Sequence, residues 1–508
     1  MAKPAFSHEA RTISGPPGPR TLGARGAWTG LLTSLWATAL AVHGWRGDGV
    51  FDQALGRWIL VHHALPTRDL WTTATAGHPF VPTEWGYAVV VAVLGRWGTY
   101  ALNVALLAAL AWGVTGWAAA WPARWRPWAL VNGALALAVF VPPRPEIGSY
   151  LGWWWTLESL RRYRQTGQSR SLWGLLPVVA VWATWHRSVW LVPAVWLGEM
   201  LLGDPARRRG LVGPFLAALA LVNAPPSGGW TGLRFMARVA NPALRSAVGE
   251  WHGLAQTGAY GLVIGLFWAV VWLGAGRAWR RRSPRPGRDG VWLAGATLAS
   301  LLAVRLVPYA ALGLAALATD LAPSGDERSP SRNGPGAAMF RSIPLRGFSP
   351  FGDEQPGIMA AGLLSVIVTL GLGQVAAHGG FASPWPAGVI ATLRQHRATN
   401  VIALNGDTLA AQGFKPWVDG QVQLDAAEPW WPAWVRTADG RQSPAAFAAR
   451  WDPASRWIVW PDRLWTGHGW ASETLPAPWR PVWQGPMAWP QTGGDPVPTT
   501  VWERGGSR

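Results

Sequence analysis

Apolar blocks of about 15 to 20 residues, the length that crosses a bilayer, alternate along this chain with short polar segments. Ala27–Trp45, Thr99–Ala119, Trp128–Phe140, Tyr150–Leu160, Leu172–Trp185 and Val189–Leu202 read as spans. Leu211–Val222, Gly258–Leu273, Val291–Val304, Val307–Ala318 and Ile358–Ala376 follow them. Gly86–Leu94 is shorter and reads as a helix that does not cross. Between Phe51 and His63, apolar or aromatic residues recur at Phe51, Leu55, Trp58, Ile59 and His62, which predicts a short amphipathic helix lying in the membrane interface. Beyond residue 378 the apolar runs shorten. Asn400–Leu404, Phe414–Val418, Arg456–Trp460, Pro481–Gln484 and Thr499–Trp502 read as strands, and Ser443–Trp451 reads as a helix.

The expected fold is therefore an α-helical polytopic membrane protein of about eleven transmembrane helices with a small C-terminal α/β domain. Residues 1–26, rich in Pro and Gly with Lys3, Arg11, Arg20 and Arg25, read as a disordered cytoplasmic tail. Residues 27–377 form the membrane domain, with a first outer loop at 46–85, and residues 378–508 the C-terminal domain.

Charge orients this plan. The net charge is +18, yet only 14% of the residues are charged and 50% are hydrophobic. The arginines sit in short loops: WPARWRP, RRYRQTGQSR, DPARRR, RAWRRRSPRPGR and the segment 321–356. An N-terminus in the cytoplasm and about eleven crossings put every one of them inside, as the positive-inside rule requires. The C-terminal domain is then extracytoplasmic and the protein a multi-pass component of the cell membrane. The basic balance reflects loop topology and not nucleic-acid binding. The chain has no cysteine, which excludes disulfides, thiolate zinc sites and a thiol nucleophile. Its 40 tryptophans read as compositional bias, with some anchoring at interfaces.

The same topology gathers ionisable residues on the outer side. Asp48, Asp52, Arg57, Asp69 and Glu84 come from the first loop. Arg144 and Glu146, His186 and Arg187, Glu250, and Arg305 come from later connections. Ionisable groups at membrane depth are expensive and usually face a cavity or a partner. Arginines suit the phosphate of an isoprenoid-linked sugar, whose charge grows as it leaves, and a carboxylate suits the proton of an acceptor hydroxyl. Each residue also has a structural reading. Arg57 and Arg68 can snorkel to headgroups, Asp69 can cap a turn, and Glu84 can cap the following helix. His62, His63 and His78 lack a ligand spacing; a divalent cation between Asp48 and Asp52 is the cofactor these residues leave open.

The loop and its companions resemble a family of bacterial multi-spanning proteins related to the GT-C glycosyltransferases, which include protein mannosyltransferases and oligosaccharyltransferases. The matches are Asp48, Phe51, Gly56-Arg57-Trp58-Ile59, Pro66-Thr67-Arg68-Asp69 and Glu84-Trp85. They continue with Arg144-Pro145, Trp182 with His186 and Ser188, Glu250-Trp251, Arg305 before Pro308, and Asp419-Gly420. The chain departs from the pattern at Asp52 (His), Thr184 (Asn), Arg187 (Gly) and Gln421 (Arg).

The resemblance implies transfer of a sugar from a polyprenyl-phosphate-linked donor to an extracytoplasmic acceptor. Asp48 and Asp52 would be catalytic. Arg57, Asp69, Glu84, Arg144, His186, Arg187, Glu250 and Arg305 would bind substrate. The competing expectation is a non-catalytic scaffold or envelope-assembly protein whose C-terminal domain binds a partner or glycan. Transport of a lipid or polymer would instead spread ionisable residues through the membrane midplane.

Overall fold

The computed structural model describes residues 19–43, 48–119, 144–224, 286–321, 385–403, 412–417, 428–438, 441–465, 470–472, 477–488 and 496–505, with a few isolated positions besides. The expected spans Gly258–Leu273 and Ile358–Ala376, and most of Trp128–Phe140, lie outside these residues. The described chain is mostly helical, with a small sheet near its C-terminus. The helices are α1 (Pro19–His43), α2 (Asp48–His62), α3 (Trp85–Ala118), α4 (Glu146–Thr166), α5 (Leu176–Trp185), α6 (Leu191–Leu202) and α7 (Arg208–Val222). They continue with α8 (Pro286–Leu302), α9 (Val307–Asp320), α10 (Ala387–Gln395), α11 (Trp431–Ala438) and α12 (Pro444–Trp451). Among the described residues one helix, α3, is long and apolar enough to cross a membrane by length and composition.

That helix is two. At Gly95 the backbone takes φ 62° and ψ −176°, a conformation essentially reserved for glycine, and the helical run breaks there. In a straight helix Tyr87 and Asn103 would stand ~24 Å apart, at 1.5 Å per residue. Instead their side chains are neighbours, and Tyr100 packs on the cluster formed by Tyr87 and Val91. Residues 85–94 thus fold back beside the start of 96–118; the break at Gly95 separates the two segments read as Gly86–Leu94 and Thr99–Ala119, and the folding back is a finding of the structure.

The first half of α3 packs on α2. Phe51, Leu55 and Ile59 of α2 are buried, as their spacing predicts, but against Trp71, Phe80 and Ala88. The interfacial reading of this helix is thereby corrected: its apolar stripe faces protein. The two backbones approach so closely at Gly56 that a Cβ there would stand 1.9 Å from the Ala88 carbonyl oxygen. Only glycine fits.

The helices α4 and α9 run parallel and are tied at three levels. Glu146 at the start of α4 pairs with Arg305, just before α9. In the middle, Trp153 Nε1 donates to the Tyr309 carbonyl at 2.8 Å. Near their C-terminal ends, Arg164 meets Asp320 at 3.1 Å. The second half of α3 runs the same way, since Asn103 is near Tyr87 while Trp117 Nε1 donates to Glu158 at 2.8 Å. Trp153, Trp117 and Trp182 thus put indole N–H groups to use inside the bundle, where composition alone had suggested bias and interface anchoring.

Two helix pairs turn over in the same fashion. α5 ends at His186, which is extended (φ −164°, ψ 145°), and a 3-10 turn Arg187–Trp190 leads into α6. α8 ends near Ala303, extended at φ −152° and ψ 123°, and a 3-10 turn Val304–Leu306 leads into α9. Each turn carries an arginine, Arg187 and Arg305, at the start of a helical run.

The C-terminal region contains β1 (Asn400–Ala403), β2 (Lys415–Pro416), β3 (Trp457–Pro461), β4 (Arg463–Trp465), β5 (Trp470–Ser472), β6 (Trp479–Ala488) and β7 (Pro496–Arg504). The sheet order is β2-β1-β3-β7-β6, with β1 parallel to β2 and β3 and the other pairs antiparallel; β4 and β5 form a separate hairpin. The period-2 alternation separates two cores. Ile402, Ile458, Trp460 and Trp502 pack with α11 and α12, whereas Val401, Ala403, Val459 and Val501 pack with α10. Both faces of the sheet are covered, so β3 is buried throughout.

The first loop closes the edge of this sheet. Thr73 N–H donates to the Pro416 carbonyl at 2.8 Å and Ala74 N–H to the Trp417 carbonyl at 3.2 Å. Ala410 packs among Phe51, Leu55 and Trp71. Main-chain pairing at an edge leaves fewer unsatisfied groups there and fixes the loop to the C-terminal region.

Candidate functional site

At the ends of α5 and α8, and the starts of α3, α4, α6 and α9, polar residues converge on His186. Its Nε2 is 3.6 Å from Glu84 Oε1 and 3.7 Å from Glu146 Oε1. Glu146 in turn pairs with Arg305. Arg187 lies in the field of Glu84, and Arg144 is close enough to act on both Glu146 and His186. Asp52 bears on Tyr87 from α2, as do Glu84 and Glu146. The cluster is therefore drawn from the first loop, α2, α3, α4, and the two turns that carry Arg187 and Arg305.

The imidazole is held in one orientation. Ser188 N–H donates to His186 Nδ1 at 3.2 Å, and Ser188 Oγ stands 2.7 Å from the same nitrogen. An N–H donor at Nδ1 makes that nitrogen the acceptor, so in the neutral ring the proton is on Nε2 and faces the two carboxylates. Ser188 and Ser149 are fixed by Trp182, whose Nε1 lies 3.2 Å and 3.0 Å from their hydroxyls. Burial holds His186 well below its ordinary value of 6.5, at about 4, against the pull of Glu146; Arg305, Arg187 and Arg144 act in the same direction as burial. At neutral pH it is a neutral donor.

Exposure separates the carboxylates. Asp52 and Glu146 are buried, and the Glu146 side chain is 7% exposed against 27% for Glu84. Asp69 is 2% exposed and belongs to its own loop. One of its oxygens accepts from Trp71 N–H at 2.9 Å and Thr72 N–H at 3.4 Å; the other accepts from the hydroxyls of Thr72 and Thr75. It acts as the turn-organising residue. Arg68 donates to the Gly77 carbonyl at 3.1 Å, within the same loop and not toward headgroups. Arg57 is exposed on α2.

Of the residues singled out in the sequence, Glu84, Arg144, Glu146, His186, Arg187 and Arg305 come together here, and Asp52 borders them. Asp48 is the first residue of α2, but its side chain lies outside the described residues, as do Glu250 and Asp419-Gly420. Among the described residues no group of three or more His, Asp and Glu is placed to hold a metal ion. Sequence reasoning did not single out Tyr87, Asn103, Ser149 or Tyr309. Tyr87, Asn103 and Ser149 are fully buried, and Tyr309 is 7% exposed. Polar residues inside otherwise apolar helices were the available signal.

The chain matches no protein-family model and no curated protein. Among solved structures it is similar to the archaeal oligosaccharyltransferase AglB from Archaeoglobus fulgidus, in complex with an inhibitory peptide and a dolichol-phosphate. Identity is 11%, the TM-score is 0.47, and the alignment covers 85% of this chain and 69% of that chain. At that score the likeness identifies neither the fold nor the reaction, and the functional reading stands on the site itself.

Proposed function

We propose that the protein is a membrane-embedded, GT-C-like glycosyltransferase that moves a sugar from a polyprenyl-phosphate donor to an extracytoplasmic acceptor. The observation that carries this reading is where the arginines stand. Arg187 and Arg305 occupy 3-10 turns that open onto α6 and α9, and Arg144 stands just before Pro145, the N-cap of α4. The helix dipole makes each of these ends partly positive, so a cation there is disfavoured by roughly 0.3–1 kcal/mol. An anion bound among them would gain from the dipoles and from the guanidinium groups together. A sugar phosphate supplies that anion, and its leaving oxygen gains negative charge as the glycosidic bond breaks.

The remaining parts take roles consistent with that placement. The neutral His186 donates from Nε2 toward a ligand oxygen or the adjoining carboxylates. Asp48 and Asp52, at the start of α2, orient the acceptor hydroxyl, and a divalent cation held with their help is compatible with the same reaction. Arg57, Asp69 and Glu250 support the surrounding loops and the acceptor side. About eleven crossings, with the arginine-rich loops inside, place this cluster and residues 378–508 at the outer leaflet of the cell membrane. The docking of the first loop on the sheet edge is in keeping with that arrangement.

The test is saturable binding of a panel of polyprenyl-phosphate sugars to the purified protein, comparing wild type with Asp48→Ala and Arg305→Ala. A charge-assisted contact is worth about 1.5–3 kcal/mol, so Arg305→Ala should weaken donor binding by roughly ten- to a hundred-fold. Asp48→Ala should leave donor binding and lower transfer. No binding to any donor by folded wild-type protein would overturn the reading and favour the scaffold.

A further inference from the structure

We infer that Glu84 is the general base of this site, the group that takes the proton from the acceptor hydroxyl. The inference rests on the glycosyltransferase reading above, and it concerns which carboxylate does the work. Three observations carry it. The first is reach. A base must come within about 2.6–3.2 Å of the proton it removes, directly or through one water, so its oxygens must be accessible to the acceptor. Among the carboxylates whose side chains are described in this region, Glu84 meets that condition, with a side chain 27% exposed against 7% for Glu146, and Asp52 and Asp69 are buried.

The second observation is commitment. Both Asp69 oxygens accept hydrogen bonds inside the loop, and Glu146 forms the ion pair with Arg305 that ties α4 to α9. The third is position. Glu84 ends the first loop at the N-cap position of α3 with no side-chain capping hydrogen bond, it lies 3.6 Å from the Nε2 of a neutral His186, and it stands in the field of Arg187. It is thus a partly exposed carboxylate beside the turn that carries Arg187.

The step balances as a single displacement. The acceptor oxygen forms a bond to the anomeric carbon, and the bond from that carbon to the phosphate oxygen breaks. The electron pair of the broken bond leaves with the phosphate, stabilised by the arginines. The acceptor proton passes to a Glu84 oxygen and from there to solvent. His186, with its proton already on Nε2, orients Glu84 and takes no proton itself.

The experiment uses the full-length protein in liposomes with polyprenyl-phosphate sugars, reading donor binding and release of free sugar with water as the acceptor. Glu84→Gln should keep donor affinity within about two-fold and lower turnover by roughly a hundred-fold or more. Glu84→Asp should recover part of that turnover, which a purely structural role at the start of α3 would not produce. Asp52→Asn should lose less turnover than Glu84→Gln. Turnover near wild type in Glu84→Gln, or a larger loss in Asp52→Asn, overturns the inference while leaving the donor site standing. Wild-type protein that binds no donor overturns the reading beneath it, so the two failures are distinguishable. If Glu84→Gln does not fold, Glu84→Asp decides alone: wild-type turnover in that variant counts against the assignment, and a partial loss at unchanged donor affinity supports it.

Discussion

The two ends of α4 hold charges of the same kinds in different arrangements. At its C-terminal end Arg164 meets Glu199 at 2.6 Å and Asp320 at 3.1 Å. Arg288 reaches Glu199 at 3.4 Å and Asp289 at 2.7 Å, while Glu158 takes Arg161, Arg162 and the Trp117 indole at 2.7–2.8 Å. Arg161, Arg162 and Arg164 also lie in or near the last turn of the helix, where its dipole favours cations. About 27 Å away, at 1.5 Å per residue, the N-terminal end inverts these preferences. Arg187 and Arg305 sit at helix starts, and the carboxylates stand 3.6–3.7 Å from a neutral imidazole. The first arrangement matches its cations to the dipole of the helix end they share. The second pairs Arg305 with Glu146 and still holds its cations where helix dipoles favour an anion.

The largest effect expected from this contrast is on stability at the C-terminal end. Arg164→Ala would leave Glu199 and Asp320, with side chains 5% and 16% exposed, without their principal partner. Removing one member of such a network is worth about 3–5 kcal/mol. Arg187→Gln, at the other end, removes a cation from a disfavoured position and should change stability by about 1 kcal/mol or less, while donor binding falls at least ten-fold. Denaturant or thermal unfolding in a single detergent compares the pair. Equal destabilisation by both variants would end the distinction between a clamp and a site.

How much of this was legible follows from the scale of each signal. Phe51, Leu55 and Ile59 give a helix because their spacing is local; what they pack against depends on Trp71, Phe80 and Ala88, which no periodicity connects to them. The strands β1, β3 and β7 stood out as short β-branched and aromatic runs. α11 is short, and its buried tryptophans Trp431 and Trp434 resemble those of loops or strands, so its residues carry no clear helical signal. The hairpin of β4 and β5 is shorter still, at three residues per strand. Arginine-rich loops placed Glu84, Arg144, His186, Arg187 and Arg305 on one side of the chain's plan. Neither the hydrogen bond that sets the His186 tautomer nor the unequal exposure of the carboxylates has a sequence signature.

The next effect in size concerns Gly95, whose backbone lets Tyr87 and Asn103 meet beside the N-terminal end of α4. A side chain at φ 62° and ψ −176° is strained whatever space surrounds it. Gly95→Ala should destabilise by about 1–3 kcal/mol or straighten α3 and draw Tyr87 away from the cluster. Paired spin labels in the two halves of α3 would distinguish these outcomes. Unchanged stability with an unchanged label distance would mean that the bend is not imposed at Gly95.

A last expected effect is a difference in pH dependence that only the N-terminal end should show. His186 is held near 4 in the folded protein against an ordinary value of 6.5, so between those values the unfolded chain binds more protons than the folded one. The stability contributed by the buried neutral ring is fully present above pH 6.5 and declines as the pH falls toward 4. Carboxylates elsewhere titrate in wild type and in a His186→Asn variant alike, so the difference between the two proteins isolates the imidazole. Thermal midpoints measured from pH 7 to 4.5 should fall more steeply for wild type than for His186→Asn. Parallel curves would show that the ring gains its proton in the folded state as readily as in the unfolded one. In that case Nε2 and Nδ1 would both be donors, Ser188 N–H could no longer donate to the ring, and His186 would be a fourth cation of the anion site.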